Sequence, residues 1–145
     1  MTIVKRGMAL ERAVFRYVEH ELYNYDYTKN EIHEMREDIL SSTNCPELKP
    51  EKMDKYMSGD VTFSKVARLT SNVGLMRMQE TVMAVEKALR LLSEEHNHLF
   101  HLKYQECKNM QAVCNEMPTS ERTYFRMRKE LVEMVAVQLG LMNVI

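Results

Sequence analysis

Arg122, Arg126, Arg128 and Lys129 interleave with Glu121 and Phe125 over ten successive positions that open on Ser120. These are the side chains of this chain whose types and spacing could do chemistry, and that chemistry is recognition of duplex DNA. Arg can donate two hydrogen bonds to guanine O6 and N7, Glu can accept one from cytosine N4, and an exposed Phe can meet a thymine methyl. Residues near a helix start reach base edges, so Glu121, Arg122 and Phe125 are the expected base contacts. Arg126, Arg128, Lys129 and the backbone and hydroxyl groups at Thr119 are expected to hold phosphates, with Lys103 and Lys108 adding phosphate contacts from preceding elements. Ser120 is expected to offer its hydroxyl to the backbone N–H of Thr123 as a helix cap, and Thr123 itself sits at the edge of the outward face.

Such a face needs a helix, and a second helix to brace it. Tyr124, Met127, Leu131 and Val135 recur at helical spacing opposite the charged set, which gives the final helix an inward stripe from Ser120 to about Leu139. Gly140 follows as its C-cap. Before it, Gln111 to Met117 predicts a brief helix with Val113, Cys114 and Met117 inward. Pro118-Thr119 breaks the two apart, and Cys114 fills the small position where they approach. Short helix, tight turn and long basic-faced helix make the sequence shape of a helix-turn-helix, whose second helix lies in the major groove.

The rest of the chain carries less. His96, His98 and His101 lie close together, but no acidic or cysteine ligand shares their face, as a zinc site would need. His20-Glu21 and His33-Glu34 each lack the second His of a metalloprotease motif. Cys45, Cys107 and Cys114 form no Cys-x-x-Cys pair and read as reduced thiols. No Gly-rich phosphate loop or Gly-x-Ser-x-Gly elbow is present. Neither a metal, a cofactor nor an enzymatic activity is expected.

Four Gly and three Pro in 145 residues supply few turns for strands, so an all-α fold is expected. Leu10, Val14, Tyr17, Val18 and Leu22 mark one helix; Ile32, Met35 and Ile39 mark a second, capped by Asp26 or Thr28, and the two are expected to form an antiparallel hairpin. Ser41 to Asp60, with Pro46, Pro50 and Gly59, reads as a linker with a turn of helix around Glu51 to Met57. Thr62 to Leu92 predicts one long helix with Val66, Leu69, Val73, Met76, Met83, Leu89 and Leu92 on one face, a pattern that suggests a subunit seam. Met76, Met83, Met127 and Met134 read as core. Ser93 is expected to cap a helix running to about Glu106 with Leu99, Leu102 and Phe100 inward. The chain therefore divides into an N-terminal hairpin and linker (1–60), a long central helix (61–92) and a helix-turn-helix domain (93–145).

Hydrophobic residues make up 45% and charged residues 28%, with a net charge of −1 and a pI near 6.5. This balance opposes binding through a diffuse basic surface, which depends on cationic charge and counterion release. A DNA reader of this composition would rely on base contacts and on dimerisation. With no apolar run of roughly 20 residues and no signal-like start, a soluble cytoplasmic protein without a membrane partner is expected.

The segment from Leu92 through Gly140 resembles the region-4 type helix-turn-helix of bacterial sigma factors. It resembles more closely the phage RinA/ArpU-type transcriptional activators, which end in a Ser-x-Arg-Thr-aromatic-aromatic-Arg pattern and a Leu-Gly close. Here that pattern is Ser120-Glu121-Arg122-Thr123-Tyr124-Phe125-Arg126. Glu21-Leu-Tyr-Asn-Tyr, Ile32-His-Glu-Met-Arg-Glu-Asp-Ile, Arg68-Leu-Thr-Ser-Asn and Val85-Glu-Lys-Ala-Leu extend the likeness over nearly the whole chain. The chain departs from that pattern at Pro118, where a Gly-like turn residue is more usual, and at Cys114. The resemblance implies a prophage-encoded activator that binds double-stranded DNA and switches on late genes by recruiting host RNA polymerase; a nucleoid-associated homodimer in the bacterial cytoplasm is expected. Two alternatives stay open: a small-terminase-like packaging protein, and a helical adaptor or anti-repressor that binds proteins only.

Overall fold

The computed structural model describes residues 10–42, 66–69 and 72–142, and every regular element among them is helical. In chain order these are α1 (Arg12–Tyr23), α2 (Tyr25–Ser42), α3 (Val73–Leu91), α4 (Glu94–Phe100), a π-helical segment (His101–Gln105), α5 (Met110–Glu116) and α6 (Glu121–Gln138), with a further helical stretch over 66–69. No helix among the described residues is long and apolar enough to cross a membrane. The expected linker lies outside the described residues, with its turn around 51–57 and Cys45, except that Ser41 and Ser42 still belong to α2.

Two compact units emerge from the packing. One joins residues 1–26 to 80–145, and the other comprises 27–79. The division at 60 and 92 drawn from the sequence followed element types, whereas packing groups α1 with residues 80–145.

The helix α2 begins at Tyr25, so Asp26 and Thr28 lie inside its first turn and neither is the cap expected of it. Ile32, Met35 and Ile39 are half-buried and Thr28 is buried. Asn24 alone separates α1 from α2.

The expected 30-residue central helix is interrupted. Asn72 Oδ1 accepts from the Leu75 N–H at 2.9 Å, and an Asn side chain bonded this way starts a helix rather than continuing one. The inward face of α3 also differs from expectation. Leu75, Val82, Ala84, Val85 and Ala88 are buried, Leu89 and Leu92 are half-buried, and Val66, Val73, Met76 and Met83 are exposed. Steps of three and four fit two stripes of this helix. The buried one, Leu75-Met78-Val82-Val85-Leu89, carries no charge, while the other is broken by Glu80, Lys87 and Arg90.

The first unit is built around α6. Val18 and Leu22 of α1 are fully buried, and Tyr17, expected inward with them, is exposed. Ser93 caps α4, its Oγ accepting from the His96 N–H at 3.4 Å, with Glu94 and Glu95 in the first turn where they complement the helix dipole. The helix expected to run smoothly to Glu106 turns π-helical after Phe100. In an α-helix, residues follow at about 100° each, which would leave Leu102 about 160° from both Phe100 and Tyr104. The segment nevertheless buries Leu99, Phe100, Leu102 and Tyr104 alike, so it is covered on both sides. It closes at Cys107, whose φ of 56° is the left-handed conformation usually given to Gly at a helix end.

Candidate nucleic-acid interface

Asn109 opens α5 by accepting from the Ala112 N–H at 2.9 Å, and Met117 ends it with an extended backbone. Four residues, Met117 to Ser120, lie between α5 and α6. Pro118 enforces the break, since it lacks an N–H and disfavours helix at the residue before it. Ser120 then caps α6 as expected, its Oγ accepting from the Thr123 N–H at 3.2 Å and donating to Thr123 Oγ1 at 3.0 Å. Glu121 follows in the first turn.

The underside of α6 is fixed by burial. Leu99, Leu102, Val113, Met117, Tyr124 and Met127 form one apolar cluster, with Met110 and Cys114 packed against it. Further along, Leu131, Val132, Val135 and Ala136 are fully buried. Each buried Leu or Val side chain contributes about 1.5–3 kcal/mol on leaving water, so α6 is held from Tyr124 to Ala136. Met134 is only half-buried, unlike Met127.

The opposite side is open. Glu121, Arg122, Phe125, Arg126 and Lys129 are exposed, and Thr119 and Thr123 are half-exposed at its edge. Phe125 stands edge-on to Tyr124, ring centroids 5.2 Å apart. Among the described residues Arg122 has no carboxylate within 4.0 Å. Arg126 and Lys129 each face an acid one turn on. Arg126 Nη1 donates to Glu130 Oε1 at 3.1 Å, and Lys129 Nζ is 3.8 Å from Glu133 Oε1, too far for a hydrogen bond. Burial pushes the Glu133 carboxyl above its ordinary range. Glu130 also accepts from His96 Nε2 at 2.7 Å, while His96 Nδ1 meets Ser93 Oγ at 2.6 Å, tying the start of α4 to this face.

Arg128 departs from the outward set. Its Nε donates to Glu19 Oε2 at 2.9 Å and its Nη2 to Glu19 Oε1 at 2.5 Å, a two-point pair between α6 and α1. The guanidinium lies over the Phe15 ring, 5.0 Å from its centroid. Tyr104 donates to the same Glu19 Oε2 at 2.7 Å. Burial pushes the Glu19 carboxyl up, but the hydrogen bonds from Arg128 and Tyr104 outweigh it and hold the carboxyl below its ordinary value. The bond to Glu19 raises Arg128, and burial beside Glu19 raises Tyr104. Side-chain exposures of 28% for Arg128 and 14% for Glu19 remove Arg128 from the phosphate-holding set expected of it. Its spacing placed it near the outer face, but a carboxylate brought in from α1 draws it aside.

Lys103 and Lys108 are also engaged within the chain rather than presented to phosphate. Lys103 Nζ donates to Tyr23 Oη at 3.0 Å and lies 5.5, 5.2 and 5.8 Å from the rings of Tyr23, Tyr104 and Tyr124, a cation–π cage. Burial opposes its charge, yet the hydrogen bonds to Tyr23 and Tyr124 raise its pKa above the ordinary value. Lys108 pairs with Glu106 at 3.1 Å and, more closely, with Glu116. Sequence reasoning missed Glu19, because nothing local links it to a residue 109 positions away.

No group of three or more His, Cys, Asp or Glu side chains among the described residues is placed to hold a metal ion. Comparison with protein-family models, with curated proteins and with solved structures gives no match.

Proposed function

We propose that this protein is a sequence-specific, double-strand DNA-binding transcriptional activator of phage or prophage late genes. It works in the bacterial cytoplasm at the nucleoid, as a homodimer that recruits host RNA polymerase. The observation that carries the reading is the capped, deeply docked α6, whose exposed side presents Glu121, Arg122 and Phe125 in its first two turns and Arg126 and Lys129 beyond them. The α5–turn–α6 order supports a helix-turn-helix in which the first three reach base edges and the last two, with Thr119 and Ser120, hold phosphates. Arg122, unpaired among the described residues, is the group best placed to read guanine. The late-gene role and the polymerase contact rest on the resemblance to RinA/ArpU-type activators in residues 120–126 and the Leu139-Gly140 close.

Footprinting of purified protein on the DNA of its own phage or host genome tests the reading. A discrete protected site upstream of a late operon is the expected result. On that site, Arg122→Ala reduces binding by about 1–3 kcal/mol and relaxes preference among sequences. Lys129→Ala weakens binding on all sequences and lowers the salt slope by about one. No protection of any fragment at low salt refutes the proposal, as does an equal loss on every sequence for Arg122→Ala.

A further inference from the structure

The side of α3 that faces away from its buried stripe is built to meet a partner. Glu80, Met83, Lys87 and Arg90 follow at steps of three and four, the a/d spacing of a coiled-coil seam, and all four are exposed. Met83 is 67% exposed and Leu91, on the same side, 58%. Beside this row an open groove of about 440 Å³ is lined by Glu80, Met83, Ala84, Lys87, Arg90 and Leu139, among others. Among the described residues Glu80, Lys87 and Arg90 form no ion pair.

The charge order selects the occupant. Glu80 lies at one end of the row, Lys87 and Arg90 lie at the other, and Met83 lies between. That sequence is complementary to itself when reversed. A second copy running antiparallel sets Glu80 against Arg90 of the other copy and Met83 against the aliphatic stem of Lys87, and the two-fold axis repeats both contacts. A parallel copy would set Glu80 against Glu80 and Arg90 against Arg90, and like charges repel.

We infer that α3 is the self-association helix of this protein, pairing antiparallel with a second copy through Glu80–Arg90 cross-pairs about Met83. Self-association needs no DNA. That it presents two α6 helices to a two-fold symmetric site rests on the proposed function.

Sedimentation velocity on the full chain without DNA tests the inference. The native protein is expected at twice 17.1 kDa. Glu80→Arg or Arg90→Glu alone turns two attractive pairs repulsive, and each is expected to weaken the dimer about tenfold or more. The double swap Glu80→Arg/Arg90→Glu is expected to restore it. Positions 80 and 90 lie about 15 Å apart along one helix, so rescue has to come from the other copy. Far-UV circular dichroism establishes that each variant remains helical. A native chain that stays monomeric at all concentrations overturns the inference, whether the face is bare or covered by another part of the same chain. So does a ring of higher order, or a dimer that neither single reversal weakens. A dimer that behaves as stated but protects no DNA leaves the inference standing and removes the proposed function.

Discussion

Replacing Glu19 by Ala strands the Arg128 guanidinium and leaves the Tyr104 hydroxyl without its acceptor. Three hydrogen bonds to a charged group disappear together, and bonds of that kind contribute about 1.5–3 kcal/mol each. Their plain sum overshoots, because water reaches an Arg128 side chain that is 28% exposed. The low end of the range for breaking a buried pair, about 3 kcal/mol, is the better figure. Against a total stability of about 5–15 kcal/mol, that is a large share. For a slope near 2 kcal/mol per molar urea, the unfolding midpoint should fall by about 1.5 M, read by circular dichroism. Adding Arg128→Met removes the stranded charge, so the double variant should be more stable than the sum of the singles by about 2 kcal/mol. A loss below 0.5 kcal/mol for Glu19→Ala, or strict additivity, would refute the account of α1 as clamped to α6 by this pair.

The same carboxylate sets an acid limit. Its folded pKa lies below the ordinary 4.5, so its contribution is complete above that value and is lost as pH falls through the folded value. An acid titration of Glu19→Gln should show a shallower loss of stability there than the native chain, with the difference confined below about pH 4.5. Ser120→Ala removes the cap of α6 and should lower stability by about 1 kcal/mol, while Ser120→Asp should preserve it. Cys107→Gly relieves a left-handed backbone at φ 56° and should raise stability by about 1 kcal/mol in urea unfolding. A destabilising outcome would mean the thiol supplies more than the backbone costs.

The local signals in the sequence were read well where chemistry is local. Ser93 and Ser120 cap the helices that their types and positions predicted, and Gly140 takes the positive φ (76°) of a helix terminus. Pro118 ends α5 within a residue of expectation. The buried row Tyr124-Met127-Leu131-Val135 was legible because no second stripe of α6 competes with it. On α3 two stripes compete, and the set picked by periodicity mixes exposed Val73, Met76 and Met83 with half-buried Leu89 and Leu92. The break at Asn72 was hidden because Asn is tolerated within helices as well as before them. Arg128 and Lys103 could not be placed from their own neighbourhoods. Their partners, Glu19 and Tyr23, come from a helix at the other end of the sequence.

Val18 and Leu22 find their cover once α6 and the π-helical segment, both far later in the sequence, have formed. Until then the opening helix carries a greasy stripe with nothing to bury it, while the segment 27–79 intervenes. Joining such distant pieces is an intrinsically slow step, and during translation the leading helix must wait in the open for the trailing one. Chains halted short of Leu131 would therefore be sticky, and a holdase that shields α1 would raise the yield of the completed molecule.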